Sequence, residues 1–144
     1  MIGFDGSQGR AHVHRSILEG IALTMHGHLT RLESDLGRAF DDVLVAGGGS
    51  RSDLMMQILA DVLARPVRRT ASPDAAGVGA AVCAAVGAGV HPDWDTATAA
   101  MVVPGRSFPP DPAGVAAYRP VARTYARLGE LTDPVFAWTS RPHP

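Results

Sequence analysis

Three consecutive glycines, Gly47, Gly48 and Gly49, are the residues of this chain whose types and spacing best suit chemistry. They follow the apolar residues 43–46 and precede a serine- and aspartate-rich segment that leads into an apolar stretch. Without Cβ atoms, these glycines let a flat ligand approach the backbone closely. A strand end, a glycine turn and a helix N-terminus with unpaired N–H groups together suit a nucleotide. The residues alone leave a plain strand-to-helix turn equally open.

The side chains around these glycines limit what could hold a phosphate. All 13 basic residues are arginine, so any phosphate contact must come from arginine, a backbone N–H or a metal ion. Without lysine the chain has no Schiff-base former and no lysine phosphate clamp. Ser50 and Ser52 are both candidates to cap the helix that follows the glycines.

Composition excludes several classes of function. A chain of 144 residues suits one domain, and its net charge of −1 does not favour a nucleic-acid partner. We find no signal peptide and no apolar run long enough to cross a membrane. The only cysteine, Cys83, lies in an apolar helical setting, which predicts a small buried residue. One cysteine excludes an intramolecular disulfide and is typical of a reducing, cytoplasmic protein.

Hydrophobic periodicity predicts the elements that position the glycine turn. Apolar residues at three- and four-residue steps predict a helix over 11–36 that ends at Gly37. A strand at 43–46 and a helix over 52–64, ended by Pro66, flank the glycines. A short strand is expected at 67–69. Strands that alternate with helices favour an α/β fold with a small parallel sheet.

The second half of the chain reads as mostly helical. Ser72, Pro73 and Asp74 predict a helix start, with serine as the cap and proline at the first helical position. The further expectations are a helix from there to 86, a helix over 93–101, a proline-rich loop over 104–112, a helix over 113–131 with a kink or late start at Pro120, a loosely ordered tail over 133–144, and a possible third strand at Met1–Phe4.

Other polar residues have plainer interpretations than chemistry. His12 and His14, like His26 and His28, are two apart on a helix and point away from each other, so we expect no metal site. Arg15 and Glu19 are spaced for an ion pair. Arg68 and Arg69 could meet a phosphate, but a solubilising pair on an edge strand is the preferred interpretation. We expect Asp61 to have a hydrogen-bonded structural role.

Three segments, taken in order, resemble the C-terminal domain of the FGGY family of carbohydrate kinases, particularly pentulose and hexulose kinases such as xylulokinases. The first is residues 9–22, GRAHVHRSILEGIA. The second is residues 45–52, VAGGGSRS, with QILAD at 57–61 and Pro66-Val67 after it. The third is residues 74–81, DAAGVGAA. The late FPPDP stretch at 108–112 and Tyr118 are also similar to the family.

The resemblance implies a partial RNase H-like domain of the actin-like ATPase fold, helix-rich with a small parallel sheet. It implies that Gly47, Gly48 and Gly49 line the adenosine side of an ATP site. The helix that begins near Asp74 would stand close by, with its narrow Gly77 face toward the purine. Ser50 and Arg51 would be neighbours of the ribose or the phosphates.

In this family the sugar site and the catalytic aspartate lie mainly in the N-terminal domain, and the phosphate loops also lie upstream. We therefore expect residues 1–132 to be an ATP-binding subdomain without catalytic residues and without kinase activity alone. ATP and Mg²⁺ are the cofactors expected of the complete enzyme. The partner would be the N-terminal kinase domain or a second copy of this chain, because missing strands should leave apolar surface uncovered.

Two other functions compete with this one. A non-enzymatic interaction or oligomerisation module derived from a kinase would use the same exposed half-sheet. A dinucleotide-binding unit fits poorly, because the glycines are contiguous and not spaced as G-x-G-x-x-G.

Overall fold

The computed structural model describes residues 5–139, with side chains described for residues 5–132. The elements in chain order are α1 (Arg10–Leu36), β1 (Val43–Val45), a 3-10 turn (Gly48–Arg51), α2 (Asp53–Leu63), β2 (Val67–Thr70), α3 (Ala75–Gly87), α4 (Trp94–Met101), β3 (Pro104–Phe108) and α5 (Pro112–Thr139).

The first half of the chain folds as its periodicity predicts. The helix α1 ends at Gly37, which takes the left-handed conformation with φ of 64° and closes the last turn. Of the two candidate serines, Ser52 caps α2, because its side-chain oxygen accepts the N–H of Met55 at 3.2 Å. The helix α2 ends one residue before Ala64, itself left-handed with φ of 52°.

The sheet has three strands in the order β1-β2-β3. β1 runs parallel to β2, as predicted, but β3 runs antiparallel to β2, so the sheet is mixed and the expectation of a parallel sheet was incomplete. The predicted loop over 104–112 is wrong at Pro104–Phe108, which forms β3 by pairing with β2. Proline is tolerated there because Pro104 is the first residue of an edge strand. The possible strand at Met1–Phe4 lies outside the described residues.

The core lies between the sheet and three helices. Eight residues of α2, from Met55 to Leu63, are buried, because α1 and α5 both pack against this helix. Val67 and Phe108 close the core from β2 and β3. The helix α2 is therefore the central element of the helical layer, which we define as α1, α2 and α5.

Two sets of polar contacts, one around Tyr118 and one around Asp61, stabilise the helical layer. Arg15 donates to Glu19 and to the hydroxyl of Tyr118, which in turn donates to Glu19 at 2.8 Å. The predicted ion pair is thus confirmed and extends to α5. Burial raises the pKa of Tyr118, and its hydrogen bond to Glu19 acts in the same direction. Asp61 is also structural, as expected, since its Oδ1 accepts from Gln57 and from the backbone N–H of Asp111.

The helices α3 and α4 pack mainly against each other. The cap of α3 is Asp74, whose carboxylate accepts the N–H of Gly77 at 2.9 Å. The prediction of Ser72 as cap and Pro73 as first helical residue was therefore wrong. Cys83 is exposed, which corrects the prediction of a buried cysteine. The reason is that α3 is apolar on all sides but buries only Val82 in this chain.

The helix α5 begins at Pro112, close to the predicted start at 113, and continues past Pro120, so of the two alternatives, a kink or a late start, the late start was wrong. The carboxylate of Asp111 accepts the N–H of Gly114 at 3.3 Å and so supports the first turn. The helix reaches Thr139, and the division of the chain at residue 132 stays a prediction; residues 140–144 lie outside the described residues. Among the described helices, none is long and apolar enough to span a membrane.

Candidate functional site

The glycine turn lies at the carboxyl end of β1, directly before the capped start of α2. Gly47 has φ of 92°, a conformation that only glycine adopts without strain. The turn is closed by hydrogen bonds from Ser50 N–H to the Gly47 carbonyl at 3.1 Å and from Ser52 N–H to the Gly49 carbonyl at 3.2 Å. The backbone is therefore held in a defined shape immediately before the helix N-terminus.

The glycines face open space. Gly48 and Gly49 are exposed, and Gly47 is half-buried. A Cβ atom built on any of the three meets no other atom within 4 Å. The turn is thus not enclosed in packed protein, and a base or ribose has room to lie against its backbone.

The two residues after the glycines differ in accessibility. Ser50 is 2% exposed, and its hydroxyl donates to the Gly47 carbonyl at 2.7 Å. This inward hydrogen bond fixes the turn and uses the hydroxyl. Arg51 is exposed at the end of the 3-10 turn, so its guanidinium is directed to the surface side of the site.

The helix α3 borders a cavity that reaches the residue before the turn. Ala75, Val78 and Gly79 of α3 share with Ala46, the residue before the turn, a cavity of about 370 Å³. Gly77 is not among the residues that line this cavity. A Cβ at Gly77 would lie 2.4 Å from the Asp74 carboxylate, so a larger residue there would have to displace the capping side chain.

A charged cluster beside the turn escaped the sequence reasoning. Asp53, the first residue of α2, accepts hydrogen bonds from Arg69 of β2 and Arg106 of β3. Both guanidinium groups lie over the ring of Phe108, at 4.7 and 4.6 Å from its centroid. The hydrogen bond from Arg69 lowers the pKa of Asp53, and the charge of Arg106 acts in the same direction.

The arginine pair of β2 is not an edge-strand device, which corrects that prediction. β2 is the central strand of the sheet, and its two arginines form separate ion pairs. Arg68 pairs with Asp42, before β1, and Arg69 pairs with Asp53, after the turn. No sequence signal links Asp53 with Arg106, since 53 positions separate them.

Metal-binding groups are sparse in the part of the chain that the structure describes. Over residues 5–132, whose side chains the structure describes, no three histidine, cysteine or acidic residues come together as metal ligands. One histidine of the first pair has a local role, since Nδ1 of His12 accepts the N–H of Gly9 at 3.2 Å.

A mixed sheet covered by helices, with an open glycine turn between a strand and a capped helix, defines an α/β protein with a surface suited to a nucleotide. Residues 1–88 match the model of the FGGY family of carbohydrate kinases, C-terminal domain. The chain therefore belongs to the FGGY family of carbohydrate kinases.

Individual relatives agree with this assignment. The chain is 46% identical over 102 residues to the uncharacterized sugar kinase YgcE of Escherichia coli, covering 71% of this chain and 21% of YgcE. It is 27% identical over 128 residues to a xylulose kinase of Bacillus subtilis, covering 89% of this chain and 26% of that kinase. The crystal structure of a xylulose kinase from Rhodospirillum rubrum superposes with a TM-score of 0.75 at 38% identity, covering 94% of this chain and 27% of that structure.

These comparisons confirm the family and the actin-like ATPase fold expected from the three sequence segments. The chain spans about a fifth to a quarter of the length of these relatives.

Proposed function

We propose that this chain forms the nucleotide-binding C-terminal portion of an ATP-dependent carbohydrate kinase, the class that transfers a phosphoryl group from ATP to a sugar hydroxyl. The observation that carries the proposal is the open turn at Gly47–Gly49 in a member of the FGGY family. The turn presents a backbone without side chains, directly before a helix N-terminus, which is the arrangement that favours a nucleotide.

The residues of the turn have distinct roles in this proposal. The backbone of Gly48 and Gly49 lies against the adenosine, and the half-buried Gly47 gives the turn its shape. Arg51 reaches the ribose or a phosphate from the surface, while Ser50 supports the turn from within. Gly77 is the proposed purine neighbour from α3, a helix whose residues Ala75, Val78 and Gly79 line a cavity together with Ala46.

A bulky side chain on the turn tests this placement. Gly48→Leu adds its side chain where no atom lies within 4 Å, and Gly48 is not in the left-handed region, so the fold should survive. We expect ADP binding, measured by calorimetry, to weaken by at least about tenfold. The matched control is Gly27→Leu, at an equally open position on α1, which should bind ADP as the wild type does. Equal binding by both variants would contradict the placement.

We infer further that the chain alone does not transfer phosphate. Phosphoryl transfer depends on positioned charge and on a group that orients the attacking hydroxyl. Near the turn, the carboxylate of Asp53 is already engaged by Arg69 and Arg106. A coupled assay with ATP, Mg²⁺ and D-xylulose should detect no turnover, and robust turnover would refute this inference.

A second candidate function, an interaction module, rests on the uncovered edge of the sheet. Within residues 5–139, β1 pairs only with β2, so its other edge is free. Leu44 of this strand is 43% exposed, and Ile17 and Ile21 of α1 are 56% and 46% exposed. A free strand edge that carries an exposed leucine favours strand addition or dimerisation, and the exposed isoleucines of α1 add further apolar surface.

We expect a second copy of the chain to cover this surface when no other kinase segment is present, most simply as a two-fold dimer. Sedimentation across a concentration series should show a dimer, and Leu44→Lys should shift the equilibrium toward monomer. Leu54→Lys, which changes a similarly exposed leucine on α2 and not on the strand, is the control. A monomer at all concentrations would exclude this second function.

A further inference from the structure

We propose that Asp53, held between Arg69 and Arg106, is the positioning residue that fixes the glycine turn relative to the sheet. The cluster joins three segments that are distant in sequence: the start of α2, the central strand β2 and the edge strand β3. The proposal deepens the proposed function, on which its relevance to nucleotide binding rests.

The place of Asp53 in the chain connects the cluster with the turn. Asp53 directly follows Ser52, the residue that caps α2 and whose N–H closes the turn on Gly49. On β2, Arg69 pairs in register with Val45, two residues before Gly47. The carboxylate therefore ties the exit of the turn to the strand beside its entrance.

The surroundings of the two guanidinium groups hold both arginines in fixed positions, so that the carboxylate of Asp53 is fixed by them. The side chain of Arg69 is only 21% exposed, so it has little freedom to follow a moving partner. Arg106 is 63% exposed, but its position over Phe108 orients it toward the same carboxylate. Phe108 is 3% exposed and belongs to the core, so the arginines are anchored to the packed part of the molecule.

The chain offers a matched ion pair for comparison. Arg68, the neighbour of Arg69 on β2, pairs with Asp42, which precedes β1 at the end opposite the glycine turn. Both pairs join a half-buried arginine of the same strand to an exposed aspartate. Ion pairs that reach solvent contribute little to global stability, so the loss of either aspartate should leave the fold intact. Only the loss of the Asp53 pair should release the turn.

The experiment compares Asp53→Asn, Asp53→Glu and Asp42→Asn in the full chain by backbone ¹⁵N relaxation. In Asp53→Asn we expect the order parameters of residues 48–52 to fall from about 0.85 to below about 0.6, with those of α5 unchanged. Asp53→Glu restores the charge and should recover most of the order. Asp42→Asn should match the wild type. Calorimetric affinity for ADP should follow the same pattern, with about a tenfold loss in Asp53→Asn only.

An ordered turn in Asp53→Asn, or an equal loss of order in Asp42→Asn, would overturn the proposal. If Asp53→Asn disorders α5 as well, the variant Arg106→Gln provides the test, because this exposed arginine can be removed without changing the helix. A loss of order confined to residues 48–52 in that variant supports the proposal. Unchanged order parameters at residues 48–52 overturn it. If the wild type does not bind ADP, the proposed function fails. The order parameters of residues 48–52 still test whether Asp53 positions the turn.

Discussion

The helical layer and the opposite side of the sheet differ sharply in how completely they are packed. In the helical layer, Met56, Ile58 and Leu59 of α2 are each at most 2% exposed. On the other side, which we call the open side and define as the glycine turn with α3 and α4, only Ser50, Val82 and Ala97 are buried. The apolar content of α3 does not produce a core there.

The difference shows which part of the chain builds its own core. Apolar side chains such as Val90, Trp94 and Val103 are more than half exposed on or near the open side. Apolar surface of this kind marks a place where other protein or a ligand is received. The helical layer therefore supplies the core, and we propose that the open side, which carries the glycine turn, receives the ligand.

Truncation of a buried leucine should show the largest effect. Leu59→Ala removes a side chain that is 1% exposed in the core of the helical layer. We expect it to lower the free energy of unfolding by about 2–5 kcal/mol, because a cavity adds to the lost burial. Leu54→Ala, on the same helix but 42% exposed, is the control and should change it by at most about 0.5 kcal/mol. Similar losses in urea denaturation would contradict the packing contrast.

The two sides should also respond differently to an added methyl group. A Cβ at Gly114 of α5 would lie 2.4 Å from the carboxylate of Asp61 and 3.1 Å from its Cβ, so Gly114→Ala should destabilise the chain by about 1–3 kcal/mol. A Cβ at Gly79 of α3 meets nothing within 4 Å. Gly79→Ala should instead stabilise the chain by up to about 1 kcal/mol, because alanine favours helix. Thermal unfolding of both variants is the measurement, and a stabilising Gly114→Ala would break the contrast.

The buried carboxylate of the helical layer should matter through its acceptor atom. Asp61→Ala leaves the N–H of Asp111 and the amide of Gln57 without their acceptor, at a cost of about 1–3 kcal/mol. Asp61→Asn keeps an oxygen in place and should lose less. Denaturant unfolding of the pair checks this, and equal losses would show that charge, not the hydrogen bonds, is what α5 requires.

Acid should weaken the end of the helical layer. The hydrogen bond from Arg65 lowers the pKa of Glu33 below its ordinary value of 4.5. The folded state therefore binds fewer protons than the unfolded state, so this stabilisation is present above that value and is lost as the pH falls through the folded pKa. Urea unfolding should show a shallower acid-side loss for Glu33→Gln than for the wild type. Identical pH slopes would refute the role of this pair.

Sequence patterns predicted the local elements better than the contacts between distant segments. The helix α1, the strand β1 and the turn follow from periodicity and from three adjacent glycines. The strand β3 was missed because Pro104 and Gly105 signal a loop, while pairing with β2 makes them a strand. Local patterns also favoured Ser72 as a cap, although Asp74 accepts the helix N–H.

The charged cluster at Asp53 could not be predicted from local sequence patterns, because it also depends on contacts between distant segments. Its partners Arg69 and Arg106 come from two strands, one of which was unforeseen, and only their pairing brings the three charges together. Only part of the site could be predicted from the sequence. The glycine turn follows from three adjacent glycines, but the hydrogen bond of the Ser50 hydroxyl to the Gly47 carbonyl and the contact of the Asp74 cap with Gly77 depend on the folded structure.

The most direct test of the functional account is an ADP titration of the ¹⁵N-labelled chain, followed amide by amide. We predict that the largest chemical-shift changes occur at the amides of Gly47–Ser52 on the open side, while the chemical shifts of the α5 amides in the helical layer stay unchanged. Shifts concentrated in α5, or no shifts at the turn at saturating ADP, would contradict the claim that this turn is a nucleotide surface.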